Sequence, residues 1–201
     1  MISIKEKRFQ IGIPEDAVLM ISVGELSNRK NHKVVIQALS GMNMSNVYYV
    51  IVGEGLLRRE LSNLIQLLGL EEKVFLLGYR TDIKELLNCA DLFVFPSIQE
   101  GLPVSLMEAM ASGLPCVVSR IRGNVDLIDE GRGGLFFSPK SPESIADLIG
   151  EMIGEGQGKM KRFGQYNINK VKEFDIREVS MKMSNLYLGG SVNRISKKVR
   201  K

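Results

Sequence analysis

The chain has 201 residues, 44% of them hydrophobic and 6% aromatic, with a formal net charge of +4. That length suits one domain with short appendages, built around an aliphatic core. No apolar run approaches the ~20 residues that span a bilayer, residues 1–10 have no apolar leader core, and no basic stripe is interleaved with aromatics, so no membrane span, signal peptide or nucleic-acid partner is expected.

In chain order, residues 1–16 read as a linker or N-terminal extension. Val18–Val23 is a short apolar run, VLMISV, followed by a glycine loop and a helical pattern over 31–40 with apolar residues at 34, 35, 38 and 39. Val47–Val52, VYYVIV, ends at Gly53, and a second helical pattern covers 56–68. Residues 74–77, Leu92–Phe95 and Cys116–Ser119 are further apolar runs, and Gly134–Phe137 is a weaker sixth. Helical patterns at 82–89, 104–112 and 142–153 lie between or after them. Continuously apolar strands imply burial on both faces. Strand alternating with helix implies an α/β fold, a doubly wound parallel sheet of about six strands, spanning 17–173. Cys89 and Cys116 fall in apolar segments without metal-ligand spacing and are expected as reduced core residues of a cytoplasmic protein.

The stretch 154–158, GEGQG, punctuates the end of the pattern. Helical stretches at 159–173 and 176–188 follow, and a basic tail over 189–201 ends in KKVRK. The tail reads first as a solvated end and second as a contact with an anionic membrane surface.

Ligands of such sheets bind beyond the carboxyl ends of the strands, so the loops there are the candidates for chemistry. In the first loop, Gly24 permits close backbone approach. Arg29 and Lys30 stand at the start of the next helix, where cations and free N–H groups together suit a diphosphate. Taken alone the signal is weak, because exposed lysines are usually only solvated. The second loop, Gly53-Glu54-Gly55, lacks the third glycine of a dinucleotide fingerprint, since position 58 is Arg58. A tight turn and close approach to a nucleotide weigh equally there. The fourth loop runs PSIQEGLPVSLMEAM from Pro96. Glu100 precedes a glycine, and Pro103 suits a helix start. Glu108 shares a helix face with Ser105 and Ser112. A carboxylate among small apolar residues needs a partner if buried. Either sugar hydroxyls serve, or Glu100 caps the helix and Glu108 forms a salt bridge.

At these residues the chain resembles a known family. Glu100 and Glu108 form the E-x7-E pattern of retaining GT-B glycosyltransferases of the group 1 type. VGELSNRKNH, IVGEG, LGYRTDIKELLNCADL, ADLFVFPS, EGLPVSLMEAMASGLPCVVS and IRGNVDLIDEGRGGLFF follow in that family's order and spacing over roughly residues 10–188. The likeness is to bacterial enzymes that build capsular, exo- or O-antigen polysaccharides. It implies the C-terminal, donor-binding half of a two-domain enzyme that moves a hexose from a nucleoside diphosphate sugar, UDP favoured over GDP, to a polysaccharide or lipid-linked acceptor. The resemblance gives Lys30 the diphosphate and Glu100 the donor-sugar hydroxyls, and these two are the candidate catalytic residues. It gives the amides at Gly101, Leu102 and Val104, with the Ser105 hydroxyl, the β-phosphate, and Glu108 the ribose. Tyr79 and Arg80 border the base, while Gly24, Arg29 and Gly53 complete the donor site. No metal and no cofactor is implied. Glu25 stands where many relatives carry a phosphate-binding arginine, so either Arg29 or Arg80 replaces it or phosphate binding is weaker. The resemblance also implies a missing N-terminal acceptor-binding domain, on which a crossover helix at 174–188 would pack, a location at the inner face of the plasma membrane, and inactivity of the fragment alone. A nucleotide-sugar epimerase of the same fold and a non-enzymatic nucleotide-binding module are the alternatives. His32, the one histidine, reads as structural.

Overall fold

The computed structural model describes residues 2–42, 45–138 and 142–175, together with 180, 183 and 184. Six strands, β1 (Val18–Val23), β2 (Val47–Val52), β3 (Val74–Gly78), β4 (Leu92–Phe95), β5 (Cys116–Ser119) and β6 (Gly134–Phe137), form one sheet in the order β3-β2-β1-β4-β5-β6. Every neighbouring pair is parallel. The strands are buried on both faces, and their side chains alternate between two cores: Leu19, Ile21, Phe93 and Phe95 face one, Met20, Leu92 and Val94 the other. This two-sided burial explains why each strand reads as an unbroken apolar run.

Helices α2 (His32–Ser40), α3 (Arg58–Leu67) and α7 (Pro142–Gly154) cover the second core. Helices α4 (Ile83–Cys89) and α5 (Val104–Ala111) cover the first, with Leu127 and Ile128 after the short α6 (Arg122–Val125). Helix α8 (Gly156–Val171) starts three residues before the stretch expected from 159, because Gly156 enters it at φ 78° and only Glu155 separates it from α7. Cys89 and Cys116 are free and buried in the first core. Most of the helix expected over 174–188, and the tail from 189, lie outside the described residues. No described helix is long and apolar enough to cross a membrane.

The segment 1–16, expected as a linker or N-terminal extension, has regular structure of its own. It carries a helix, α1 (Ile4–Gln10), closed by a capping box between Ser3 and Glu6. The pattern was missed because charged side chains, not an apolar stripe, dock this helix. Lys7 Nζ lies 2.8 Å from Asp82 at the head of α4. Buried Arg8 donates to the carbonyls of Cys89, Glu15 and Ala17 at 2.7–2.9 Å and to Asp91 at 2.6 Å. Removing one partner of a buried charge pair costs far more than the pair contributes net. Arg8→Ala is therefore expected to destabilise the chain by about 3 kcal/mol in urea unfolding, the lower end of the range because Asp91 keeps some water. A loss below ~1 kcal/mol would show that α1 is only loosely attached.

Candidate functional site

The chain reverses its direction of travel across the sheet between β1 and β4. The loops after these strands diverge, and the crevice between them is where open α/β sheets bind ligands. The first wall is the β1–α2 loop. It is pinned to the β2–α3 loop by backbone bonds from Gly24 to Val52, Leu26 to Glu54 and Leu57 to Leu26, each 2.9–3.0 Å. The contact is close enough to require glycine: a Cβ on Gly53, whose φ is 143°, would sit 2.0 Å from the Gly24 carbonyl oxygen. The tight turn of Gly53-Glu54-Gly55 is thus present, with Gly53 packed against the Gly24 backbone.

Lys30 crosses this loop. Its Cε would lie 3.1 Å from a Cβ at Gly24, so glycine clears its path. Asn31 then turns the chain into α2 in the left-handed region, at φ 55°. Lys30 is only 8% exposed, with Nζ 4.7 Å from the Phe95 ring centroid. It is no solvated surface lysine.

The second wall is the β4–α5 loop. The Ile98 amide donates to the Arg29 carbonyl at 2.9 Å, with Ser97 Oγ 3.0 Å from the same oxygen, and so the two walls are locked together. Three donors converge on one oxygen of Glu100: Lys30 Nζ at 2.8 Å, Arg29 at 3.0 Å and Ser97 Oγ at 2.5 Å reach Oε1. The other oxygen, Oε2, takes no hydrogen bond among the described residues, and a carboxylate oxygen can accept two. Burial alone would raise this carboxyl's pKa. The bonds from Lys30 and Ser97 and the charges of Lys30 and Arg29 outweigh it, holding the group below its ordinary value. Beyond it Gly101, Leu102 and Val104 are exposed, and the first turn of α5 has no side-chain cap, because the N-cap residue is Pro103. Glu100 therefore does not cap the helix. The arrangement offers two cations, one fixed carboxylate with a free acceptor, and an open helix start.

The family of glycosyl transferases group 1 matches residues 3–170. The chain belongs to this family. Over 191 residues this glycosyltransferase chain is 31% identical to the UDP-Gal:alpha-D-GlcNAc-diphosphoundecaprenol alpha-1,3-galactosyltransferase of Escherichia coli, covering 92% of this chain and 49% of that protein. An uncharacterized glycosyltransferase of Methanocaldococcus jannaschii is 32% identical over 169 residues, 83% of this chain and 42% of that one. Among solved structures, Anabaena Alr3699/HepE in complex with UDP aligns with a TM-score of 0.85 at 26% identity, over 92% of this chain and 52% of that one. The chain spans about half the length of the relatives it matches.

The remaining expected residues of this glycosyltransferase chain divide. Arg29 joins Lys30 at Glu100. Arg80 does not: it is held by Asp82 at 2.6 and 2.8 Å, and Asp82 also pairs with Lys7. The hydrogen bond from Arg80 pushes the Asp82 carboxyl far below its usual range. Of the two candidates to replace the arginine absent at Glu25, only Arg29 stands in the crevice. Tyr79 projects at the rim, 75% exposed. Glu108 is exposed on α5 beside half-buried Ser105 and forms no ion pair among the described residues. Its contact is with Ser112, whose hydroxyl donates to the Glu108 carbonyl at 2.9 Å. The reading of the sequence missed Ser97, Ser119, Gly123 and Asn124, which lie under the Glu100 loop. Their one signal was a serine at or just past the end of two neighbouring, otherwise apolar strands.

His32 follows the cluster and is 1% exposed. Neither ring nitrogen reaches a partner at hydrogen-bonding geometry among the described residues. Burial, with the Lys30 charge added, lowers its pKa from 6.5 to about 4, although the Glu25 backbone pulls the other way. Between pH 6.5 and 4 the unfolded chain thus binds a proton that the folded chain refuses, and stability falls as pH falls through that window. The full loss is ~3 kcal/mol. Replacing the ring by His32→Leu should flatten this part of the pH profile in denaturant unfolding, and an unchanged slope would show that the ring finds a proton acceptor when folded.

Proposed function

We propose that this chain is the donor-binding part of a retaining glycosyltransferase. It would hold a nucleoside diphosphate sugar, UDP-linked in preference to GDP-linked, while a second, N-terminal domain presents a polysaccharide or lipid-linked acceptor. The observation that carries the reading is the meeting of Lys30, Arg29 and Glu100 at the β1–β4 crevice, with Glu100 Oε2 left open beside the uncapped start of α5. The UDP seen with Alr3699/HepE and the UDP-Gal and diphosphoundecaprenol in the name of the Escherichia coli relative support donor and acceptor classes of this kind.

In this reading Lys30 and Arg29 take the diphosphate. The amides at Gly101, Leu102 and Val104 and the Ser105 hydroxyl receive the phosphate nearer the sugar. Glu100 Oε2 accepts from sugar hydroxyls, Glu108 from the ribose, and Tyr79 lies near the base. Charge builds on the diphosphate as the glycosidic bond breaks, and dipoles fixed in advance stabilise it without reorganisation. Transfer also requires the acceptor to be oriented, a contribution of roughly 7–11 kcal/mol that this chain has no identified group to supply. Residues 1–201 should therefore bind donor, with transfer appearing when the second domain is present.

Calorimetry on the chain tests the assignment. Glu100→Gln should weaken the sugar nucleotide more than free UDP, and Glu108→Gln should weaken both. Lys30→Ala should weaken UDP more than uridine, since a charge-assisted contact contributes about 1.5–3 kcal/mol. Negligible losses in both carboxamide variants would remove the site, and equal loss for UDP and uridine would make Lys30 a residue of the fold instead. Robust sugar transfer by residues 1–201 alone would overturn the division of labour.

A further inference from the structure

We propose that Ser97, Ser119 and Asn124 form a buried polar column that positions the Glu100 carboxylate, and that through it β5 and α6 set the grip on the donor sugar. The second clause rests on the function proposed above; the first does not. All three residues are fully buried. The Asn124 amide donates to Ser119 Oγ at 3.1 Å and to the Ser119 carbonyl at 2.9 Å. The Ser119 hydroxyl donates to the Ser97 carbonyl across the β4–β5 edge. The Ser97 hydroxyl donates to Glu100 Oε1 at 2.5 Å. Every donor in the column points toward the crevice, and its last member lands on the oxygen that Lys30 and Arg29 also hold.

Two features separate this column from ordinary core packing. Asn124 Oδ1 is buried with no partner among the described residues. An orphaned buried acceptor costs stability that an apolar residue would not, and such costs concentrate where a site needs them. The second feature is Gly123. A Cβ there would fall 2.4 Å from the Gly101 carbonyl oxygen and 3.1 Å from Glu100 Cβ, so α6 is seated directly on the backbone that carries the carboxylate. Pinning Oε1 from three sides fixes where Oε2 lies, and the position of that oxygen decides which hydroxyls it meets. Ser97, Ser119 and Asn124 are positioning residues: they act through Glu100.

The test uses residues 1–201 with UDP, UDP-glucose and UDP-galactose in calorimetry, and the Glu100 carboxyl titration followed by NMR. Ser119→Ala is expected to raise the Glu100 titration midpoint and to lower the preference for sugar nucleotide over UDP by about fivefold, the loss of one ordinary hydrogen bond. UDP affinity itself should hold. Ser119→Thr keeps the hydroxyl and should restore both readouts. Gly123→Ala disturbs the carboxylate from the α6 side, removes no hydroxyl and should reproduce the loss. Wild-type titration and wild-type preference in both Ser119→Ala and Gly123→Ala would overturn the proposal. Glu100→Gln is measured alongside. If the titration moves in Ser119→Ala while Glu100→Gln leaves the preference unchanged, the positioning stands and the sugar-binding reading falls.

Discussion

The contact on which the site depends is the ammonium of Lys30 against Glu100 Oε1, 2.8 Å apart across the crevice between β1 and β4. Both side chains are nearly buried, so neither charge could be tolerated alone. Their loops border one crevice because β1 and β4 are neighbours in space although two strand–helix units separate them in sequence. The Ile98 amide then ties the β4 loop to the Arg29 carbonyl, holding the two loops at the distance that the ion pair needs. Fold and site are thus joined at one point, where glycines at 53 and 123 allow backbone to approach too closely for a Cβ and glycine at 24 clears the path of Lys30.

Seen in that way, the pair is an expensive structure. Two buried charges give back little net stability, and an apolar pair of similar volume would often do better. His32, buried directly after this loop without a hydrogen-bonding partner among the described residues, adds a second cost, and the oxygen of Asn124, likewise unpartnered among them, a third. All three lie at the carboxyl ends of β1, β4 and β5. At the bases of β1 and β4, Arg8 donates its guanidinium to three carbonyls and Asp91. One oxygen unpartnered among the described residues lies at that end too, on Asn167 below β5, so the costs cluster at the crevice without being confined to it.

How much of this the sequence carried follows from which forces leave a periodic trace. Burial on both faces does, so all six strands could be read in place, and Leu61 and Ile65 marked α3. Docking by charge does not. Helix α1 is held by Lys7 and Arg8, whose partners lie more than seventy residues away, and no local pattern announces them. The spacing of Glu100 and Glu108 pointed to the β4–α5 loop and α5. It could not tell that one carboxylate would be gripped by three donors while the other stood exposed. Arg29 and Arg80 were equivalent as letters, and only Asp82, two residues after Arg80, distinguishes them. The Asn124–Ser119–Ser97 column was beyond reach for the same reason: it runs across strands, perpendicular to the chain.

The charge balance of the crevice bears on what it can hold. Lys30 and Arg29 against Glu100 leave a single positive charge in excess. A diphosphate in the proposed donor brings more negative charge than that, so the cations alone do not neutralise it. The shortfall falls to the first turn of α5, whose amides have no side-chain cap because Pro103 supplies none. Helix termini and their free N–H groups favour anions most when water is excluded. In the proposed reaction the departing diphosphate gains charge as the sugar leaves, and the stabilisation must grow with it. Lys30 is already bonded to Glu100 and can only be shared. Arg29 is half exposed, held by Glu100 and more weakly by the Gln99 carbonyl at 3.4 Å, and has the freedom to swing onto the leaving group. Under the proposed function both cations serve the diphosphate: Lys30 shares its charge between Glu100 and the leaving group, and Arg29, the more exposed of the two, supplements it.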